Sequence, residues 1–156
     1  MNEDTFRIAE LLLADMKCSH VLMTLALEAG GRSNPDLVRA MSGLALGMGQ
    51  GLDCGALSGG CCVLGLLAGR GGEDEPEDER FADMLDEFSG WFVVMAKERY
   101  GGYTCADIMG FDPALKAERC PGLVGDCWEK IREILESRDV DIAHPPRPAS
   151  DGELQP

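Results

Sequence analysis

Basic side chains are scarce: 14 Lys and Arg stand against 28 Asp and Glu, a formal net charge of -14. Such a chain repels phosphate backbones and anionic membrane surfaces, so no nucleic acid is expected as a partner. Aromatics make up only 6%. Val, Ile and Thr are sparse beside Leu, Ala, Gly and Met, a balance that favours helices over sheet. Long apolar runs are missing too. The longest uncharged stretches, 40–52 and 54–69, are split by Asp53 and studded with glycine. Both fall short of the roughly 20 residues of a membrane span, so no membrane insertion is expected. The start, MNEDTFRIAELLLADMKC, is acidic where a secretory signal would be basic, and a cytoplasmic protein is expected.

Several reaction classes lose their signatures as well. The glycine-rich stretch 41–60 follows no strand and carries no Lys-Ser/Thr, so it is not a nucleotide loop. The acidic run EDEPEDER at 73–80 lacks the spacing of an EF-hand and reads as a solvated loop. Of the two histidines, His144 sits near the end, while His20 follows Cys18 by two residues. With no third partner in view, a cysteine hydrolase is a poor reading and no catalytic residue is assigned.

The apolar residues that are present keep a helical period. They fall on one face in 36–48 (Leu37, Val38, Met41, Leu44, Ala45, Met48), in 81–96 (Phe81, Met84, Leu85, Phe88, Phe92, Met95) and in 121–137 (Leu123, Val124, Cys127, Trp128, Ile131, Ile134, Leu135). Asn34-Pro35-Asp36 reads as a cap, a first-turn proline and a first-turn acid. Asp53 is expected to cap the next helix, Thr104 with Asp107 forms a capping-box pattern, and Cys120-Pro121 is expected to open the last helix. The pattern predicts an all-α, compact single-domain bundle of about five to seven helices over 1–139. A disordered proline-rich tail is expected over 140–156. Glycines at 43, 47, 51, 55 and 59 recur every fourth residue, which predicts close helix packing; Gly51, Gly55 and Gly59 would let another segment approach Cys54.

Seven cysteines, an odd count, point to metal or redox chemistry rather than a disulfide framework. Cys54, Cys105 and Cys120 each fall at an expected helix start, where unpaired N–H groups favour thiolate. Cys18 follows Lys17 at an expected helix break. Convergence of these four on one site competes with a plain reading as small residues in helix joints. Cys62 and Cys127 read as core. Cys61, two turns after Cys54 on nearly the same face, is an auxiliary candidate, as is His20.

The stretch CGALSG at 54–59 resembles the CGAxxG signature of the C_GCAxxG_C_C family of redox-active proteins. The resemblance extends over roughly residues 5–138, with Cys18-Ser19-His20-Val21-Leu22, GLALGMGQGLDCGA, VLGLLAG, GYTCADI at Cys105 and ERCPGLV at Cys120. It is closest to a branch of such proteins from sulfate-reducing bacteria. The resemblance implies a site made of Cys18, Cys54, Cys105 and Cys120. A similar domain occurs in a split-Soret type of cytochrome beside an iron–sulfur centre. No Cys-x-x-Cys-His is present here, so covalent haem is not expected. The expected function is therefore binding of a [2Fe–2S] or [4Fe–4S] cluster for electron transfer or redox sensing. A metal-free thiol–disulfide protein, a structural zinc site and a helical interaction module are the alternatives. A redox partner protein is expected, and a homodimer is a further option.

Overall fold

The helical periods resolve into seven α-helices, and residues 2–146 are described by the computed structural model. They are α1 Glu3–Leu13, α2 Cys18–Ala29, α3 Pro35–Ala40, α4 Gly55–Ala68, α5 Phe81–Tyr100, α6 Cys105–Met109 and α7 Pro113–Ser137. The described residues contain no strand, only an isolated antiparallel bridge between Asp53 and Thr104. The protein is an all-α single domain. No helix among the described residues is long and apolar enough to cross a membrane.

Local chemistry sets most boundaries. Asn2 Oδ1 accepts the Thr5 N–H at 2.8 Å and caps α1. The chain turns through Asp15, at φ 63°, and α2 starts at Cys18. There the Lys17 N–H donates to His20 Nδ1 at 3.0 Å. Asn34 caps α3 and Pro35 opens it, as its sequence suggests.

Three expectations need correction. The helix expected through 36–48 ends at Ala40. Ser19 Oγ, fully buried, donates to the Met41 carbonyl at 2.9 Å and draws it towards α2. A 3₁₀ turn, Met41–Leu44, follows, and then Leu46, Gly47, Met48 and Gly49 all adopt left-handed backbone, with φ of 56°, 60°, 56° and 69°. Gly47 is obligatory there, since a Cβ would overlap the Leu52 backbone. The second correction concerns Asp53, which pairs with Thr104; Cys54 itself takes the N-cap position of α4. The third concerns Cys120. The last helix opens at Asp112-Pro113, with Asp112 Oδ1 accepting the Ala114 N–H at 2.9 Å, and runs straight through Pro121. Cys120 is therefore interior to α7. The missing N–H of Pro121 weakens the ladder, but the buried stripe of Leu123, Val124, Cys127, Trp128 and Ile131 holds the helix on the core.

α2 and α4 form the centre of the bundle. Their close approach depends on Gly59, where a Cβ would lie 2.8 Å from Ser19 Cα. On the other side of α4, Gly60 leaves space for the ring of Phe88, which with Phe92 fills the core between α4, α5 and α7. Each such large side chain contributes about 1.5–3 kcal/mol when fully buried. At the far end Asp4 accepts from Trp128 Nε1 at 3.1 Å and Arg132 at 2.7 Å, clasping α1 to α7. Val140 is buried and Ile142 packs on the same core. Of the expected tail, residues 147–156 lie outside the described residues.

Candidate redox site

Four short segments bring four cysteines to one place. Cys18 opens α2, Cys54 caps α4, Cys105 opens α6 and Cys120 lies about two turns into α7. All four line a single cavity of about 20 Å³. Cys54, Cys105 and Cys120 are buried, Cys18 is half-buried, and none is in a disulfide. The convergence has local causes. Gly55 stands where a Cβ would touch Cys18 Cβ at 3.7 Å and the Leu44 carbonyl at 3.4 Å, so α4 can start against α2. The Cys105 N–H donates to the Leu52 carbonyl at 2.6 Å, and the Thr104–Asp107 capping box orders α6 just beside it. Thus the mouth of α4 and the mouth of α6 are tied together.

The remaining wall is apolar and cationic: Leu46, Ile108 and Met109, with Lys17 and Lys116. Lys17 is paired with Asp15. Lys116 lies one helical turn before Cys120, and its ammonium has no ion-pair or hydrogen-bond partner among the described residues. Lys17 is legible in the sequence as the residue before Cys18, but Lys116 is not. Lys116 becomes a neighbour of Cys120 only once α7 is known to begin at Pro113.

Burial and neighbours divide the thiols. The Cys18 thiol interacts with Cys120 as donor, which raises its pKa well above 9.0, and burial pushes the same way. Cys120 gains the converse benefit: the Cys18 donor lowers its pKa, against burial, and Lys116 helps. Burial pushes Cys54 up to about 12, although the backbone N–H groups of Ala56 and Leu57 at the start of α4 pull the other way. Burial also raises Cys105, opposed by Lys116. Cys120 is therefore the one member of the set whose surroundings favour ionisation. That lean comes from Cys18 and Lys116, not from a helix start.

The auxiliary candidates fall elsewhere. Cys61 is half-buried farther along α4, outside the cavity lining, and burial pushes it up to about 11. His20 uses Nδ1 to accept from Lys17 and places Nε2 2.7 Å from Ser42 Oγ, so both ring nitrogens serve the α2 start. Burial lowers its pKa. Cys127 is fully buried in the core, and Cys62 is half-buried and packs against it. Of the three glycines, Gly55 and Gly59 admit α2, and Gly51, at φ 69°, lies under the ring of Phe111.

Among the described residues no three Cys, His, Asp or Glu side chains stand in a ready-made metal cage. The helical domain thus gathers four separated free cysteines about one cavity. The family model described as "Putative redox-active protein (C_GCAxxG_C_C)" matches residues 16–134, and the chain belongs to that family. No curated protein and no solved structure matches it.

Proposed function

We propose that Cys18, Cys54, Cys105 and Cys120 hold an iron–sulfur cluster, [2Fe–2S] or [4Fe–4S], and that the protein transfers or senses electrons through it. The observation that carries this reading is the convergence of four thiols from four separated segments on one cavity. A disulfide needs only two. The donor set suits the group: four soft ligands, an unpaired lysine to offset thiolate charge, and backbone N–H groups at the α4 start beside Cys54. The cavity of about 20 Å³ has room for roughly one water molecule, so the sulfurs must part to admit a cluster. When bound, the cluster would supply one-electron chemistry. The chain's residues would ligate it, exclude water and balance its charge. The reading includes a cytoplasmic location, where thiols stay reduced, and kinship with the branch from sulfate-reducing bacteria.

One observation favours a second reading. Cys18 and Cys120 line the same small cavity as free thiols, and each shifts the other's ionisation. Oxidation of the pair by an external disulfide, through a mixed disulfide that the second thiol resolves, would form one S–S bond. The external disulfide would leave as two thiols, taking up the two protons and two electrons released.

Anaerobic purification with iron and acid-labile sulfide assays and a visible spectrum decides between them. Colour that disappears in Cys54→Ser supports the cluster. Zinc in place of iron supports the structural-metal alternative. Metal-free protein that forms a Cys18–Cys120 disulfide with diamide supports the dithiol, and ordinary alkylation of all thiols without metal or disulfide refutes every redox reading.

A further inference from the structure

The large apolar side chains left in solvent are not spread evenly. Seven are exposed among the described residues, and four of them, Leu46, Met48, Leu52 and Phe111, gather at the loop and helix ends that close the cysteine cavity. Leu46 lines the cavity, Leu52 accepts the Cys105 N–H, and Phe111 covers Gly51. A second observation is independent of exposure. Leu46, Met48 and Phe111 have left-handed backbone at φ 56°, 56° and 53°. That costs about 1–2 kcal/mol for each non-glycine residue. Glycine occupies the neighbouring left-handed positions 47, 49 and 51, so the fold itself has no need of large side chains at 46, 48 and 111.

We infer that this rim is the docking face for a small basic electron-carrier protein, seated over the four-cysteine cavity. The inference rests on the redox reading of that cavity. The area argues for a transient partner rather than a second copy. The four side chains are 39%, 41%, 52% and 66% exposed. At about 200 Å² for a full large side chain they present roughly 400 Å². A stable dimer needs about 800 Å² or more per partner, whereas brief redox encounters bury less. Charge argues for a basic partner. The chain carries -14 overall, and Asp53, Asp107 and Asp112 are exposed near the rim against the unpaired ammonium of Lys116, while Lys17 and Asp15 offset each other. A second copy would meet the same negative field, whereas a basic carrier would be steered by it and then held by apolar contact.

The test is an amide chemical-shift titration of the full-length ¹⁵N-labelled chain as purified. A basic c-type cytochrome serves as probe and an acidic ferredoxin as charge control. The expected result is fast-exchange shifts confined to residues 46–53 and 104–112 with the basic probe and none with the acidic one. Met48→Gly and Phe111→Gly should weaken that binding at least about fivefold while thermal stability stays level or rises, because the left-handed strain is relieved. Shifts elsewhere, no shifts, or equal shifts with both probes would overturn the proposal. So would rim shifts that change on dilution of the chain alone, which identify a second copy, or variants that unfold early, which make these residues structural. Iron, sulfide and disulfide assays on the same sample report separately on the redox reading, so the two can fail independently.

Discussion

Gly59→Ala is the sharpest perturbation of the contact that sets the site. The added Cβ would lie 2.8 Å from Ser19 Cα and 3.2 Å from Ser19 Cβ. Both belong to the first turn of a buried helix, and Ser19 is held by its bond to the Met41 carbonyl, so the neighbour cannot swing away. Overpacking of this kind costs about 1–3 kcal/mol. Removing glycine from a helix returns about 0.5–1 kcal/mol, so a net loss of about 1–2 kcal/mol is expected. Gly90→Ala is the control. That position is exposed within α5 and nothing lies within 4 Å of its Cβ, so only the helix gain applies and the variant should be more stable by about 0.5–1 kcal/mol. Urea unfolding followed by circular dichroism at unchanged m reads both. Because Ser19 adjoins Cys18, Gly59→Ala should also separate Cys18 from Cys120 and shift Cys120 alkylation to higher pH. A Gly59→Ala midpoint equal to or above the wild type would refute the close-packing account.

Stability of the metal-free protein should fall in alkali. Cys54 and Cys61 are raised from 9.0 to about 12 and about 11, so above pH 9 the unfolded chain sheds protons that the folded chain keeps. The stabilisation is whole below pH 9 and declines as pH rises to about 12, by up to about 1.4 kcal/mol per unit for each thiol; denaturant midpoints at several pH values measure it. Cys120 should be the first of the four cavity thiols to react with iodoacetamide as pH rises, read by peptide mass spectrometry, and Cys18→Ala should move its profile to higher pH by removing the donor. Pro121→Ala should raise stability by about 1–3 kcal/mol in thermal unfolding, since the exposed proline interrupts a helix that continues past it.

The helix faces are legible in the sequence because burial imposes a period on them, and Phe88, Phe92, Leu123 and Ile131 lie inside as their spacing requires. The caps at Asn34 and Thr104 are legible for a similar reason: their side chains act on backbone three residues away. The misplacements fall where a distant contact overrides a local signal. Pro121 is a sound helix start on local grounds, yet α7 is already under way there because Asp112 caps it and its stripe is buried. The break at Ala40 depends on Ser19, 22 residues away from Met41, and no window of sequence contains both.

The same distinction explains the site. The resemblance picks out the four cysteines that line the cavity, but only Cys18, Cys54 and Cys105 lie at helix starts. There burial, preceded at Cys18 by the effect of Cys120, outweighs the helix N–H groups and raises their pKa instead of favouring thiolate. For Cys120 the cause is tertiary. Its pKa is drawn below the usual thiol value because α2 brings Cys18 to it and because Lys116 shares its helix face. Burial pushes three of the thiols towards the neutral form, while the surroundings of Cys120 favour its charged form. On the proposed reading, binding a cluster would require the thiols to lose their protons, which would tie occupancy of the cavity to pH. Glycine at 55 and 59 makes that arrangement sterically available, and Leu46, at the start of the left-handed loop, supplies part of the cavity wall. The thiols, the small residues and the left-handed backbone thus belong to one device, although they are scattered through more than a hundred residues of chain.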